Sequence, residues 1–126
     1  MQTSKVVPLL NVRDCAASIA FYRRLDFEIV SSWPEEGGAR FALLRCGDVE
    51  MMLNQPSEAL APRGAEPYSG PILFFRVASA PSLWAELRDK GLQPRPPSRE
   101  SYGFDEMLLS DPDGYWLAFS SPAPAP

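Results

Sequence analysis

The chain has 126 residues, 45% of them apolar and 22% charged, with a formal net charge of −4. That balance fits one globular domain with a real core and excludes a disordered chain, and no apolar run approaches the ~20 residues of a membrane span. Histidine is absent and only Cys15 and Cys46 carry thiols, which removes Ser-His-Asp and Cys-His catalysis, His-ligated iron and structural zinc.

The opening MQTSKVVPLL has neither the sustained apolar stretch nor the small-residue cleavage site of a secretory signal, so a cytoplasmic location and two reduced thiols are expected. Both cysteines read as small buried hydrophobes. The alternative for Cys15 is a reactive thiol, because a first helical turn favours the thiolate.

Val6 to Val12 is an aliphatic, β-branched run that predicts a strand, ending where Asp14 is placed to cap a helix. Ile19, Phe21, Tyr22 and Leu25 then recur at helical spacing as far as Asp26. Phe27 to Trp33 predicts a strand, 34–38 a turn, Ala39 to Cys46 a strand, Gly47-Asp48 a tight turn and Val49 to Asn54 a third meander strand. Three prolines and two glycines between Gln55 and Gly70 mark a linker or flexible loop.

The same order then returns, with strands at Pro71 to Val77, Gln93 to Pro97, Asp105 to Ser110 and Trp116 to Ser121, and a helix from Ser79 to Lys90. Sliding the chain on itself by 65 positions pairs Leu10 with Phe75, Val12 with Val77, Ala20 with Ala85, Arg23 with Arg88 and Gly38 with Gly103. A period this long, seen twice, indicates a duplicated βαβββ unit within one domain. The expected division is a single domain over 1–121, with module one at 5–55, a linker at 56–70, module two at 71–121 and a frayed or polyproline-like tail at 122–126.

VVPLLNVRD at 6–14, SIAFYRRLDFEIV at 18–30 and DPDGYWLAF at 111–119 occur in an order and spacing that resembles the glyoxalase/bleomycin-resistance (vicinal oxygen chelate) superfamily. The resemblance spans essentially the whole chain. It implies an α+β fold in which two tandem βαβββ modules form a cup-shaped mixed sheet with helices on the outer face. It also implies four metal-ligand positions in metal-using members, which fall here on Val7, Glu50, Ile72 and Ala118. Three hydrocarbons and one carboxylate cannot replace the hydration of a divalent cation, so neither metal nor cofactor is expected. The opposite parity of Val49–Asn54 would put Met51 in place of Glu50; Glu50 is preferred because Val49, Met51 and Leu53 then give the helix an apolar face.

With Val7 and Ile72 inward, period two brings Leu9, Asn11, Phe74 and Arg76 to the same lining, together with Trp116, Ala118 and Ser120, while Leu117 and Phe119 meet a helix. The candidate ligand-binding residues are therefore Asn11, Glu50, Phe74, Arg76, Tyr102, Phe104, Trp116 and Ser120. Set against this, Asn11 could cap a turn and Arg76 could salt-bridge a neighbour. Tyr68, Tyr102 and Phe104, beside Gly/Pro-rich loops, and Trp116 are the stacking candidates, whereas Trp84 sits at a core spacing.

The function expected is metal-free, bleomycin-resistance-type sequestration of a planar, positively charged antibiotic or related metabolite in a homodimer groove. The alternatives are a lyase or dioxygenase-type enzyme, metal-dependent or using Glu50 as a base, and a ligand-free interaction domain. Without a basic stripe on a net-acidic chain, nucleic acid is not an expected partner, and neither is a membrane.

Overall fold

The structure is a computed structural model that describes residues 1–34, 38–61, 63–64 and 66–125. Its Cα framework divides into two compact units, Met1–Pro62 and Arg63–Pro126.

In the first unit, β1 (Leu9–Asn11), α1 (Cys15–Arg23), β2 (Glu28–Trp33), β3 (Phe41–Cys46) and β4 (Val49–Asn54) follow one another, and the sheet order is β1-β4-β3-β2. β1 runs parallel to β4 and the other pairs are antiparallel. Asp14 caps α1 by accepting from the Ala17 N–H at 3.1 Å. The helix buries Cys15, Ile19 and Tyr22, and the strand residues of the opposite parity from Glu50, namely Leu10, Ala42, Leu44, Met51 and Leu53, are the buried ones. Between Ile29 and Ser31 a bulge breaks the register of the edge strand β2, which leaves Ile29, Val30 and Trp33 exposed.

The second unit repeats the plan with β5 (Leu73–Arg76), α2 (Ala80–Asp89), β6 (Ser98–Arg99), β7 (Phe104–Ser110) and β8 (Trp116–Pro122), in sheet order β5-β8-β7-β6. Ser79 replaces Asp14 as the cap, with its Oγ accepting from the Ser82 N–H at 3.2 Å. Leu117, Phe119, Met107 and Leu109 form the buried parity of this sheet, and α2 buries Ala80 and Leu87. Each unit is thus a mixed four-stranded sheet with one helix, an α+β arrangement. Among the described residues no helix is long and apolar enough to cross a membrane.

The two helices stop in the same way. Beyond α1 the N–H of Asp26 donates to the Arg23 carbonyl and that of Phe27 to the Tyr22 carbonyl; beyond α2, Gly91 donates to Arg88 and Leu92 to Leu87. This six-to-one and five-to-two pairing needs a left-handed residue at the turn, supplied by Asp26 at φ 68° and Gly91 at φ 83°. The 65-residue shift relates those two positions, so the duplication is legible in backbone geometry as well as in side chains.

Several elements are shorter than predicted, β1 at Leu9–Asn11 against Val6 to Val12 and β5 at Leu73–Arg76 against Pro71 to Val77, and two further departures have a local cause. Gln93 to Pro97 is not a strand: Pro94, Pro96 and Pro97 cannot donate to a ladder, and pairing begins only at Ser98, opposite Glu106. At the other end β8 runs through Pro122, one residue into the predicted tail. Pro122 stands opposite Phe104, and the neighbouring bond runs from the Ala123 N–H to the Gly103 carbonyl. This is a non-hydrogen-bonded position of the antiparallel ladder, where no N–H is required. The predicted turn at 34–38 includes 35–37, which lie outside the described residues, and the predicted linker carries no helix or strand among those described.

β7 and β8 are joined by Asp111-Pro112-Asp113-Gly114. The Asp111 Oδ1 accepts from the N–H groups of Asp113 (2.9 Å) and Tyr115 (2.8 Å), and its own N–H donates to the Tyr115 carbonyl. Gly114 adopts φ +85°, and a Cβ there would lie 3.3 Å from the Arg63 Cβ.

Two stability outcomes follow. Gly91→Ala forces an L side chain into the left-handed region and is expected to cost about 1 kcal/mol by urea denaturation. Asp111→Ala strands two backbone donors and is expected to cost about 1–3 kcal/mol, with Asp111→Asn retaining most of the lost stability because an acceptor remains.

Candidate functional site

Each sheet has one face packed on its helix and a second face of opposite parity, and every candidate residue that lies in a strand is on the second. In the first unit that face carries Leu9, Asn11, Glu50, Met52, Asn54 and Arg45. Glu50 rather than Met51 occupies it: Met51 is 1% exposed on the helix side.

Glu50 is nonetheless not free to act. Its carboxylate is buried, with Oε1 accepting from the Lys5 ammonium and Oε2 from the Arg45 Nη2 at 2.7 Å. Arg45 arrives there because it is the direct partner of Glu50 across the Gly47-Asp48 hairpin. Lys5 shares the parity of Val7 and Leu9. The Lys5 hydrogen bond, followed by that of Arg45, holds the Glu50 carboxyl below its ordinary value of 4.5, so it is a poor proton acceptor. A cationic ligand would meet a carboxylate already opposed by two positive charges.

Asn11 caps no turn. Its Oδ1 accepts from the Asn54 Nδ2 at 3.0 Å, across the β1–β4 pair. Two hollows of about 400 Å³ and 390 Å³ lie in this unit, the first between Arg13, Arg40 and the 55–60 loop, the second beside Glu28 and Arg45, and neither is lined by a predicted site residue.

The second unit brings more of the candidates together. Across β5, β8 and β7, Arg76 stands level with Ser120 and Glu106, and Phe74 with Ala118 and Leu108. Phe104 and Trp116 share that parity. Phe74 is 47% exposed, while Ala118 and Ser120 are buried beneath the larger side chains around them. Arg76 forms no salt bridge with a carboxylate among the described residues. Instead its Nη1 donates to the Ser120 Oγ at 2.8 Å and its guanidinium lies 4.9 Å from the Phe104 ring centroid.

Tyr102 donates to the Glu106 carboxylate, which pushes its phenol up to about 12 and keeps it neutral. Its ring lies 5.9 Å from that of Phe104. Trp116 is half-buried beneath the Arg95 guanidinium, 4.7 Å from the ring centroid, and its Nε1–H is buried without a hydrogen-bond partner.

Lys5, Arg45, Glu106 and Arg95 contact the candidate residues and are not reached by the sequence reading. Parity along the chain reaches Lys5 from Val7 and Glu106 from Phe104, and the two-residue turn reaches Arg45. Nothing periodic points to Arg95, which is set by its own N–H donating to the Leu108 carbonyl at 2.8 Å.

Neither cysteine is a candidate. Both are free, and burial, with Asp14 adding to it, raises the Cys15 thiol rather than favouring its thiolate. Nor do the positions implied for a metal fit one. Val7, Ile72 and Ala118 offer no donor atom, and both oxygens of Glu50 are engaged by cations. No group of three or more acidic or cysteine side chains suited to a metal occurs among the described residues.

The pH dependence of stability follows from Glu50. A carboxyl depressed in the folded state contributes stability that is complete above the ordinary value of 4.5 and is lost as pH falls through the lower folded value. Urea midpoints measured from about pH 6 to about pH 3 should therefore fall more steeply for the wild-type chain than for Glu50→Gln.

The fold is shared with solved structures. A bleomycin-binding protein complexed with bleomycin superposes with a TM-score of 0.69 at 23% identity, covering 94% of this chain and 98% of that one. A bleomycin resistance determinant encoded on the transposon Tn5 gives 0.70 at 23%, covering 95% and 98%. Lactoylglutathione lyase from Agrobacterium tumefaciens gives 0.70 at 19%, covering 96% of each. Among curated proteins none matches the sequence. Residues 5–119 match the family described as Glyoxalase/Bleomycin resistance protein/Dioxygenase superfamily, and the chain belongs to that superfamily.

Proposed function

We propose that the chain is a metal-free small-molecule-binding protein of the bleomycin-resistance type, sequestering a planar ligand as a cytoplasmic homodimer. The observation that carries this reading is the second face of the C-terminal sheet. There Phe74, Phe104 and Trp116 supply flat apolar area and Arg76 and Ser120 supply placed polar groups, all in one register. Binding sites combine apolar walls with a few convergent polar groups in this way.

The bleomycin-binding protein and the bleomycin resistance determinant of the same fold favour the binder reading. The lyase of the same fold keeps an enzyme in view. Against an enzyme stands Glu50, whose two cationic partners leave it neither a metal ligand nor a base. Leu9, 50% exposed, and Phe74, 47% exposed, are apolar residues on the sheet faces that the helices leave uncovered, and a second chain would cover them.

Calorimetric titration with bleomycin and with planar aromatic compounds of either charge tests the reading. Micromolar binding that survives prolonged chelation, with no metal found by mass spectrometry, is the expected result. Binding that vanishes on chelation and returns with a divalent cation overturns it. Sedimentation at micromolar concentration should give twice the mass of the chain; a monomer alone would remove the homodimer.

A further inference from the structure

The charge of the ligand can be read from the second face of the C-terminal sheet. We infer that this face takes a planar aromatic anion, an aromatic carboxylate, rather than a cation. The inference rests on the binder reading above and names its substrate class.

The polar groups on the face are unequally used. Its carboxylates are already engaged: Glu106 accepts from the Tyr102 hydroxyl, and Glu100, close enough to Tyr102 for its charge to act there, accepts from the Ser98 hydroxyl. Its donors are in surplus. Arg76 spends Nη1 on Ser120, and no carboxylate pairs with Arg76 or Arg95 among the described residues. The Trp116 Nε1–H has no acceptor at all. A guanidinium presents five N–H groups in a flat fork, so one bond to a hydroxyl leaves most of its capacity open. A face with spare donors and occupied carboxylates is completed by a ligand that brings acceptors and negative charge.

The aromatic rings point the same way. A planar cation would need the faces of Phe104 and Trp116, yet Arg76 and Arg95 already lie over these rings at 4.9 and 4.7 Å. A cation would have to displace a guanidinium from its ring or stack against like charge. An aromatic anion does neither. It can stack on the outer plane of a guanidinium while its carboxylate accepts from the in-plane N–H groups, a charge-assisted and often bidentate pair. The net charge of −4 is spread over the whole chain and is screened beyond about 8–10 Å, so it does not decide the sign at this face.

Three probes of one shape make the test: naphthoate, the uncharged naphthamide and the naphthylmethylammonium cation, titrated into the full chain by calorimetry. Naphthoate is expected to bind about tenfold tighter than the amide, with the ammonium weakest. Arg76→Gln and Arg95→Gln, each checked for fold by circular dichroism, should each lower naphthoate affinity about tenfold and leave the amide within about twofold, and Arg76→Lys should recover part of the loss. An ammonium that binds tighter than naphthoate, or naphthoate binding indifferent to both variants, overturns the anion while leaving the binder reading intact. No binding by any of the three overturns both.

Discussion

Each sheet of this protein has two faces and one helix. Because strand side chains alternate with period two, a helix covers one parity and leaves the other to find different company. In the first unit Met51, Leu53, Leu44 and Ala42 go under α1, and in the second Leu117, Met107 and Leu109 go with the α2 side. The candidate residues that lie in strands are on the remaining parity, so a single-residue slip of β4 or β8 would bury the charged and aromatic groups and expose the core.

That constraint explains what was legible in the sequence. β4 matches its predicted span of Val49 to Asn54 residue for residue, Asp14 caps α1 as predicted, and period two, starting from the positions that the resemblance implies, places Phe74, Arg76, Trp116 and Ser120 on one face; Ser79, expected as the first residue of the second helix, is its cap. The failures have a common cause, which is backbone whose conformation is decided by a distant partner. The proline-rich 93–97 segment takes its path from one bond to β7, and Pro122 continues a strand only because its partner asks nothing of it. Arg95 belongs to the first of these, so its position over Trp116 has no signature in its own neighbourhood.

The first unit shows what becomes of a ligating carboxylate position when its companions are aliphatic. Glu50 keeps a negative charge in a buried place, and burying such a charge is tolerable only with paired opposite charge. Lys5 and Arg45 supply it from within the chain, one from the residues preceding β1 and one from the adjacent strand. The carboxylate has thereby become structural, in the sense that its protonation is felt by the folding equilibrium. On the proposed reading the chemistry that remains is recognition, with its residues concentrated in the second unit.

The proline segment has a further consequence for Arg95. It stands between Pro94 and Pro96, whose rings restrict the backbone on both sides, and its amide is tethered to Leu108. Long cationic side chains on mobile loops surrender considerable freedom when they grip something, and that loss is subtracted from affinity. Here the backbone that carries the side chain is held in advance, so in the proposed role the guanidinium would meet a guest with less disorder left to lose. Discrimination at such a position would derive from rigidity, and relaxing the prolines would loosen it even with every contacting atom retained.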